Sequence, residues 1–222
     1  MMRPRHRRTR PRTALAVKPL LVLALWLALP AAARAGDLTV AVKSPSGAPI
    51  ADAVVTLAAP HHGPIRFAWP YRMAQKNIQF DPFVLIVPVG ADVAFPNLDQ
   101  VRHHVYSFSP AKTFELKLYG KDETRVVHFD KPGVVQLGCN IHDSMIAFIV
   151  VVDTPYAAKT DAEGNATIHD APPGAYGLAV WRPYLRAPGN TLRQTVQIPR
   201  QGMARLTVAA DVRTPPARHQ MY

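Results

Sequence analysis

The sequence predicts an all-β fold, and two observations support this prediction. Short runs rich in valine, isoleucine, threonine and aromatic residues recur along the chain, and glycine, proline, aspartate and asparagine bound them. Proline is abundant, with 22 residues in a chain of 222, and long amphipathic patterns of helical period are missing. Short strands joined by many turns are typical of β-sandwiches.

The first 35 residues have the three parts of a secretory signal peptide. Residues 1–18 contain basic side chains and no acidic one, residues 20–29 form an apolar run, and Ala33-Arg34-Ala35 fits a cleavage site. The apolar run is too short to span a membrane. We therefore expect cleavage before Gly36, a periplasmic location and no stable membrane anchor. Arg7-Arg8 is a twin arginine, but the following residues do not match a twin-arginine signal, so general export is preferred.

The leader also explains most of the positive charge. It contains 8 of the 26 lysine and arginine residues, which leaves 18 basic and 15 acidic residues in the rest of the chain, a net charge of +3. A basic excess of +11 for the whole chain would otherwise suggest nucleic acid as a partner. Because most of the basic excess is removed with the leader and the remaining charges are scattered, we expect no nucleic-acid partner.

Alternating segments occur in two separated parts of the chain. Residues 38–42 and 53–57 alternate on either side of a turn at 44–47, and a matching half follows only after residue 156. That second half consists of a turn at 160–166 that enters a strand, a turn at 172–176, a strand at 176–181 and final strands at 194–198 and 204–212. The two parts are expected to form one sandwich.

The region between these parts is predicted to be a second set of strands. The predicted strands lie within residues 77–87, broken at Asp81-Pro82, and at 93–95, 105–108, 114–118, 125–129, 134–137 and 146–152. The run 146–152 is almost wholly apolar, which indicates a buried central strand.

A short loop between the last two of these strands carries the residues with distinctive chemistry. Cys139, His142 and Met145 are spaced C-x-x-H-x-x-M, and Cys139 is the only cysteine in the chain. Upstream, His103 and His104 lie at the end of another strand-like run, which continues past them through residues 105–108. A thiolate, two imidazoles and a weak thioether form the ligand set of a blue-copper site. Strand parity places His103 and His104 on opposite faces, but it does not say which side chain points inward.

Residues 72–153 resemble a cupredoxin, and the ligand loop is most similar to that of amicyanin. The matching segments are F-P-N-L-D-Q-V-R-H-H-V-Y-S-F (95–108) and G-C-N-I-H-D-S-M (138–145). The whole chain is also similar to bacterial proteins called plastocyanin-like or methylamine utilization proteins. The resemblance implies a Greek-key β-sandwich that binds one type 1 copper ion through His103, Cys139, His142 and Met145, with His104 as the alternative to His103.

The outer segments resemble a carboxypeptidase-regulatory-like β-sandwich. The similarity lies in residues 47–57, in T-D-A-E-G-N-A (160–166) and in P-P-G-A-Y-G-L-A-V (172–180). The expected organisation is a signal peptide (1–35), a split sandwich (36–66 and 156–213), an inserted cupredoxin domain (67–155) and a C-terminal tail (214–222). Insertions are tolerated in exposed loops whose ends lie close together.

Two classes of function follow from this organisation. The first is a periplasmic carrier of single electrons, which is not an enzyme and whose partner is a c-type cytochrome or a periplasmic dehydrogenase. The second is a binding or structural module, either metal-free or holding copper for storage or delivery. His61-His62 is a candidate second metal site, although a solvated loop is the preferred interpretation. Asn97 and Asp99 are candidates for fixing the loop before His103, and Asp143 for supporting His142.

Overall fold

The computed structural model describes residues 36–59 and 63–214. The predicted leader, the His61-His62 pair and residues 215–222 of the predicted tail lie outside the described residues. In the described part, secondary structure consists of sixteen strands and one short 3-10 helix, Pro188–Asn190, which confirms the all-β fold class. None of the described residues belongs to a helix long and apolar enough to cross a membrane.

The strands are numbered in chain order. They are β1 (Gly36–Lys43), β2 (Val54–Ala58), β3 (Ala74–Lys76), β4 (Gln79–Asp81), β5 (Val84–Pro88), β6 (Ala91–Pro96), β7 (His103–Ser109), β8 (Lys112–Tyr119), β9 (Thr124–Phe129), β10 (Gly133–Cys139), β11 (Ile146–Val152), β12 (Ala157–Lys159), β13 (Asn165–Ala171), β14 (Gly174–Trp181), β15 (Thr191–Ile198) and β16 (Met203–Ala209). Two of them, β3 and β12, lie outside the predicted strands, because three residues are too few to reveal an alternating pattern.

The strands from β3 to β11 enclose one hydrophobic core. Five of them form a sheet in the order β5-β11-β10-β7-β8, and two-stranded sheets β6-β9 and β3-β4 pack on the same core. Apolar side chains from alternating positions fill it, among them Val93, Phe95, Val105, Leu137 and Ile149. Cys139 and Met145 belong to this cluster of buried residues. The candidate ligand loop therefore starts and ends in the core of this sandwich.

The remaining strands come from both ends of the described chain. β1 lies between β13 and β16, and β2 lies between β12 and β14, with β15 beyond β14. β1 runs antiparallel to β13 and parallel to β16. A separate core fills the space between these two sheets and includes Leu38, Val40, Leu57, Leu178 and Ile198. Strands that precede residue 60 thus pair with strands that follow residue 156.

A third apolar cluster joins the two sets of strands. It contains Val54, Val84, Ile86, Phe148, Val150, Val152, Ala157 and Trp181. The rings of Phe148 and Trp181 meet edge to face, with centroids 5.6 Å apart. β11 contributes to two clusters because successive side chains of a strand point to opposite faces. Its residues after Ile146 are all buried, as predicted for a central strand.

Candidate metal centre

The ligand loop makes a tight connection between β10 and β11. At its start, the backbone N–H of Asn140 donates to the carbonyl oxygen of His104 on β7, at 3.0 Å. At its end, the backbone N–H of Met145 donates to the carbonyl oxygen of His142, at 2.9 Å. These two bonds fix both ends of the loop, so Cys139 and His142 are held on the same side of it.

Three donor atoms converge at this loop. Sγ of Cys139 is 3.8 Å from Nδ1 of His103 and 3.6 Å from Nδ1 of His142. The three candidate donor atoms all lie within 4.8 Å of one another. The two imidazole rings have centroids 5.0 Å apart. Both histidines therefore direct the same ring nitrogen toward the sulfur, and the three donors surround one point.

The donors differ in their access to solvent. His103 is fully buried and Cys139 is 2% exposed, whereas His142 is only partly buried. Ile141, which precedes His142, is exposed. The site is therefore closed on the side of His103 and reaches the surface through His142.

Met145 is buried beside the same loop. Its side chain is 1% exposed and belongs to the same core cluster as Cys139. The thioether is thus kept away from solvent, in an environment that suits a weak sulfur donor.

His103 has a charged partner on its far side. Nε2 of His103 lies 2.8 Å from Oδ2 of Asp99. Burial lowers the pKa of His103 below its usual value, and the hydrogen bond with Asp99 opposes that effect. A lowered pKa favours neutral imidazole, which is the form that binds a metal.

Asp99 is held by backbone donors. The N–H groups of Asn77 and Ile78 donate to its two carboxylate oxygens, at 2.5 and 3.0 Å. Burial opposes ionisation of Asp99, but the hydrogen bonds from Ile78, His103 and Asn77 outweigh it and lower the pKa of Asp99 below its usual value. The group beside His103 is therefore a carboxylate.

A buried polar network supports the loop that carries Asp99. The side-chain amide of Asn97 donates to the carbonyl oxygens of Val101 and Tyr119, at 2.8 and 3.1 Å, and its oxygen accepts the backbone N–H of Asp99 at 2.9 Å. The hydroxyl of Tyr119 donates to the side chain of Gln75. Burial raises the pKa of Tyr119, so this hydroxyl keeps its proton.

His104 points away from the donor cluster. Its Nε2 lies 2.8 Å from Oε1 of Glu115 on β8, at a solvent-accessible position. His103 is therefore the upstream histidine that the structure brings to Cys139 and His142. Asp143 is exposed. The contact between Asp99 and His103 is not predicted from the sequence. The only sequence feature that indicates it is the spacing of four residues between them.

No protein-family model matches the chain, and no curated protein matches it. Among solved structures, it is similar to a copper-containing nitrite reductase from Thermus scotoductus, at 25% identity and a TM-score of 0.37, over 43% of this chain and 25% of that chain. The chain therefore spans about a quarter of the length of that reductase.

Two smaller proteins are also similar to this chain. A purple cupredoxin from Nitrosopumilus maritimus matches at 20% identity and a TM-score of 0.33, over 36% of this chain and 98% of that chain. A variant of amicyanin in the oxidised state matches at 21% identity and a TM-score of 0.35, over 37% of this chain and 82% of that chain. Each of these two matches covers less than half of this chain.

The donor set fits copper. One thiol and two imidazole nitrogens face one another, and a buried thioether lies on the same loop. Imidazole suits copper in proteins, and thiolate and thioether sulfur are soft ligands that select Cu(I). The carboxylate on the far side of His103 is the usual outer partner of a metal-binding histidine.

Proposed function

We propose that this chain is a mononuclear copper protein that carries single electrons and is not an enzyme. The observation that supports the proposal is the convergence of Nδ1 of His103, Sγ of Cys139 and Nδ1 of His142 within 4.8 Å. These three residues would hold one type 1 copper ion, with Met145 as a weak fourth ligand. When bound, copper would supply a one-electron redox couple.

The protein's residues have separate tasks in this proposal. Strands β7 and β10 fix His103 and Cys139 in the core, so the donors have little freedom to rearrange between oxidation states. Burial of Met145 excludes water from its side of the site. His142 is partly exposed and lies at the surface, where a partner protein would approach.

The proposed domain organisation, location and partners extend the copper site to the whole chain. We propose that residues 36–66 and 156–213 form one sandwich, into which a cupredoxin domain (67–155) is inserted. The strand pairing of β1 and β2 with strands after residue 156 supports this division. With a cleaved leader, the protein would act in the periplasm, and a c-type cytochrome or a dehydrogenase would exchange electrons with it.

Spectroscopy of the copper-loaded chain from Gly36 tests the proposal. We expect an intense visible band from thiolate-to-copper charge transfer, a Cu(II) EPR signal and a reversible one-electron couple in protein-film voltammetry. Cys139→Ser should remove the visible band while the circular dichroism of the strands is retained. A protein that binds copper without a reversible couple would contradict the carrier and favour storage or delivery instead.

The role of Met145 is tested separately. Met145→Leu should retain copper, because three stronger donors remain, and should raise the reduction potential, because a lost weak donor disfavours Cu(II) more than Cu(I). Copper stoichiometry and voltammetry of the variant measure both effects. Loss of copper in this variant would contradict the assignment of Met145 as the weak ligand.

A further inference from the structure

The side of His103 that faces away from Cys139 is occupied by a carboxylate. Nε2 of His103 is 2.8 Å from Oδ2 of Asp99, and the side chain of Asp99 is only 11% exposed. An ionised carboxylate accepts hydrogen bonds and has none to donate. The proton in this contact therefore belongs to Nε2 of His103, and in the neutral ring this leaves the lone pair of Nδ1 directed toward Cys139.

Three hydrogen bonds hold Asp99 in place, two at its carboxylate and one at its backbone. The backbone N–H groups of Asn77 and Ile78 donate to its two oxygens, and the side chain of Asn97 accepts the backbone N–H of Asp99. Asn77 and Ile78 both have positive φ, 55° each, in the turn between β3 and β4. A β-branched residue rarely adopts this backbone conformation. The turn orients two neighbouring N–H groups toward one side chain, and an isoleucine occupies it despite the strain.

We propose that Asp99 is a positioning residue that keeps the proton of His103 on Nε2 and its Nδ1 free for the metal. The inference rests on the proposed metal site, but it concerns the imidazole ring before any metal is bound. Neutral imidazole exists in two tautomers, and only the one with a free Nδ1 matches the direction in which this ring faces Cys139. Hydrogen bonding of the second nitrogen to a carboxylate selects that tautomer and raises the donor strength of the first.

The neighbouring histidine provides a matched control within the same chain. His104 also has Nε2 at 2.8 Å from a carboxylate oxygen, that of Glu115. Glu115 is more than half exposed, and His104 is on the opposite face of β7 from the donor cluster. Glu115→Gln therefore makes the same chemical change as Asp99→Asn at the same distance from an imidazole, outside the site.

The first measurement is made on the metal-free wild-type protein. Long-range proton–nitrogen NMR correlations of the imidazole rings report which nitrogen carries the proton, and His103→Gln identifies the signal of His103. We expect a single Nε2–H tautomer at this residue. An Nδ1–H tautomer, or an even mixture of the two, would overturn the inference without any variant of Asp99 having to fold.

The second measurement compares the two carboxylate variants. Asp99→Asn should give a mixture of His103 tautomers and weaken Cu(I) binding by about 10- to 100-fold in competition with a chelator. Glu115→Gln should leave both quantities unchanged. An Asp99→Asn variant with wild-type tautomer and wild-type copper affinity would overturn the inference.

Different results would contradict the electron carrier and the positioning role of Asp99. A wild-type protein with the Nε2–H tautomer and tight Cu(I) binding, but without a reversible couple, would contradict the electron carrier and retain the role of Asp99. A reversible couple accompanied by the Nδ1–H tautomer would retain the carrier and remove that role.

Discussion

The two faces of β7 carry side chains in opposite environments. On the inward face, His103, Val105 and Ser107 are buried, and on the outward face Phe108 is 79% exposed. His104 and Tyr106 share the outward face and are partly buried. His103 and His104 therefore differ in burial, although they are consecutive residues of one strand.

The two histidines show that the length of a hydrogen bond does not define its role. Each has Nε2 at 2.8 Å from a carboxylate oxygen, Asp99 for His103 and Glu115 for His104. The exposed pair is screened by solvent, and such pairs contribute about 0–1 kcal/mol. The buried ring of His103 is out of contact with solvent, and its other nitrogen faces Cys139. Burial and direction, rather than distance, separate the candidate ligand from its neighbour.

The largest expected difference between the two faces is in metal binding. His103→Ala should abolish the thiolate-to-copper band and stoichiometric copper binding, because it removes one of three converging donors. His104→Ala should retain both, since its ring contacts Glu115. Copper stoichiometry and visible spectra of the two variants make the comparison. If His104→Ala lost copper and His103→Ala retained it, the upstream ligand would be His104 instead of His103.

The next difference is in stability. Val105→Ala should lower the free energy of unfolding by about 2 kcal/mol, because it deletes two methyl groups from a fully buried position. Phe108→Ala on the outward face should change it by less than about 0.5 kcal/mol, as for an exposed position. Urea denaturation of the metal-free proteins measures both. Equal effects would contradict the assignment of inward and outward faces.

The pH dependence of stability should depend on His103. Because burial lowers the pKa of His103, the folded metal-free protein binds a proton there less readily than the unfolded chain, whose pKa is near 6.5. The resulting loss of stability is absent above pH 6.5 and grows as the pH falls from there to the lower pKa of the folded state. His103→Gln should flatten the curve of unfolding free energy in this range. Val105→Ala, in which His103 is intact, should retain the slope.

A smaller effect than that of Val105→Ala is expected at a tight contact on the outward face. A Cβ atom added to Gly138 would lie 2.7 Å from Cζ and Oη of Tyr106. The ring of Tyr106 is at the surface and has room to move, so Gly138→Ala should cost only about 1 kcal/mol. It should not displace copper, because Tyr106 lies on the opposite face from His103. Thermal denaturation and the visible spectrum test the two statements. A lost visible band would show that the contact with Tyr106 fixes Cys139.

Several of these features are predictable from the sequence. The apolar run 146–152 indicates the buried strand that became β11, and the spacing of Cys139 and His142 indicates their convergence. Strand parity separates His103 from His104, but the choice of inward face depends on how β7 packs against β10, which is a tertiary contact. The hydrogen bond from His103 to Asp99 depends on the path of the loop between β6 and β7. No periodic pattern encodes such a path.

The sequence pattern also does not predict the contact between the two sets of strands. Val54 and Trp181 lie in alternating strand patterns, which would be expected for residues in the core of their own sandwich. They instead pack against Val84, Ile86 and Phe148 of the other set. Alternation reports that a side chain is buried, but not which neighbour buries it.

The double burial of β11 has a consequence for how the molecule melts. One face of this strand covers the core that holds Cys139, and the other packs against Val54 and Trp181. Removing either neighbour would leave a row of apolar side chains in water, so the two sets of strands should unfold as one cooperative unit in calorimetry. A ligand that binds only the folded state raises the melting temperature of everything that unfolds with its site. Copper bound between β7 and β10 would therefore stabilise β14 and β15, which belong to the other set of strands, as much as the strands that hold it.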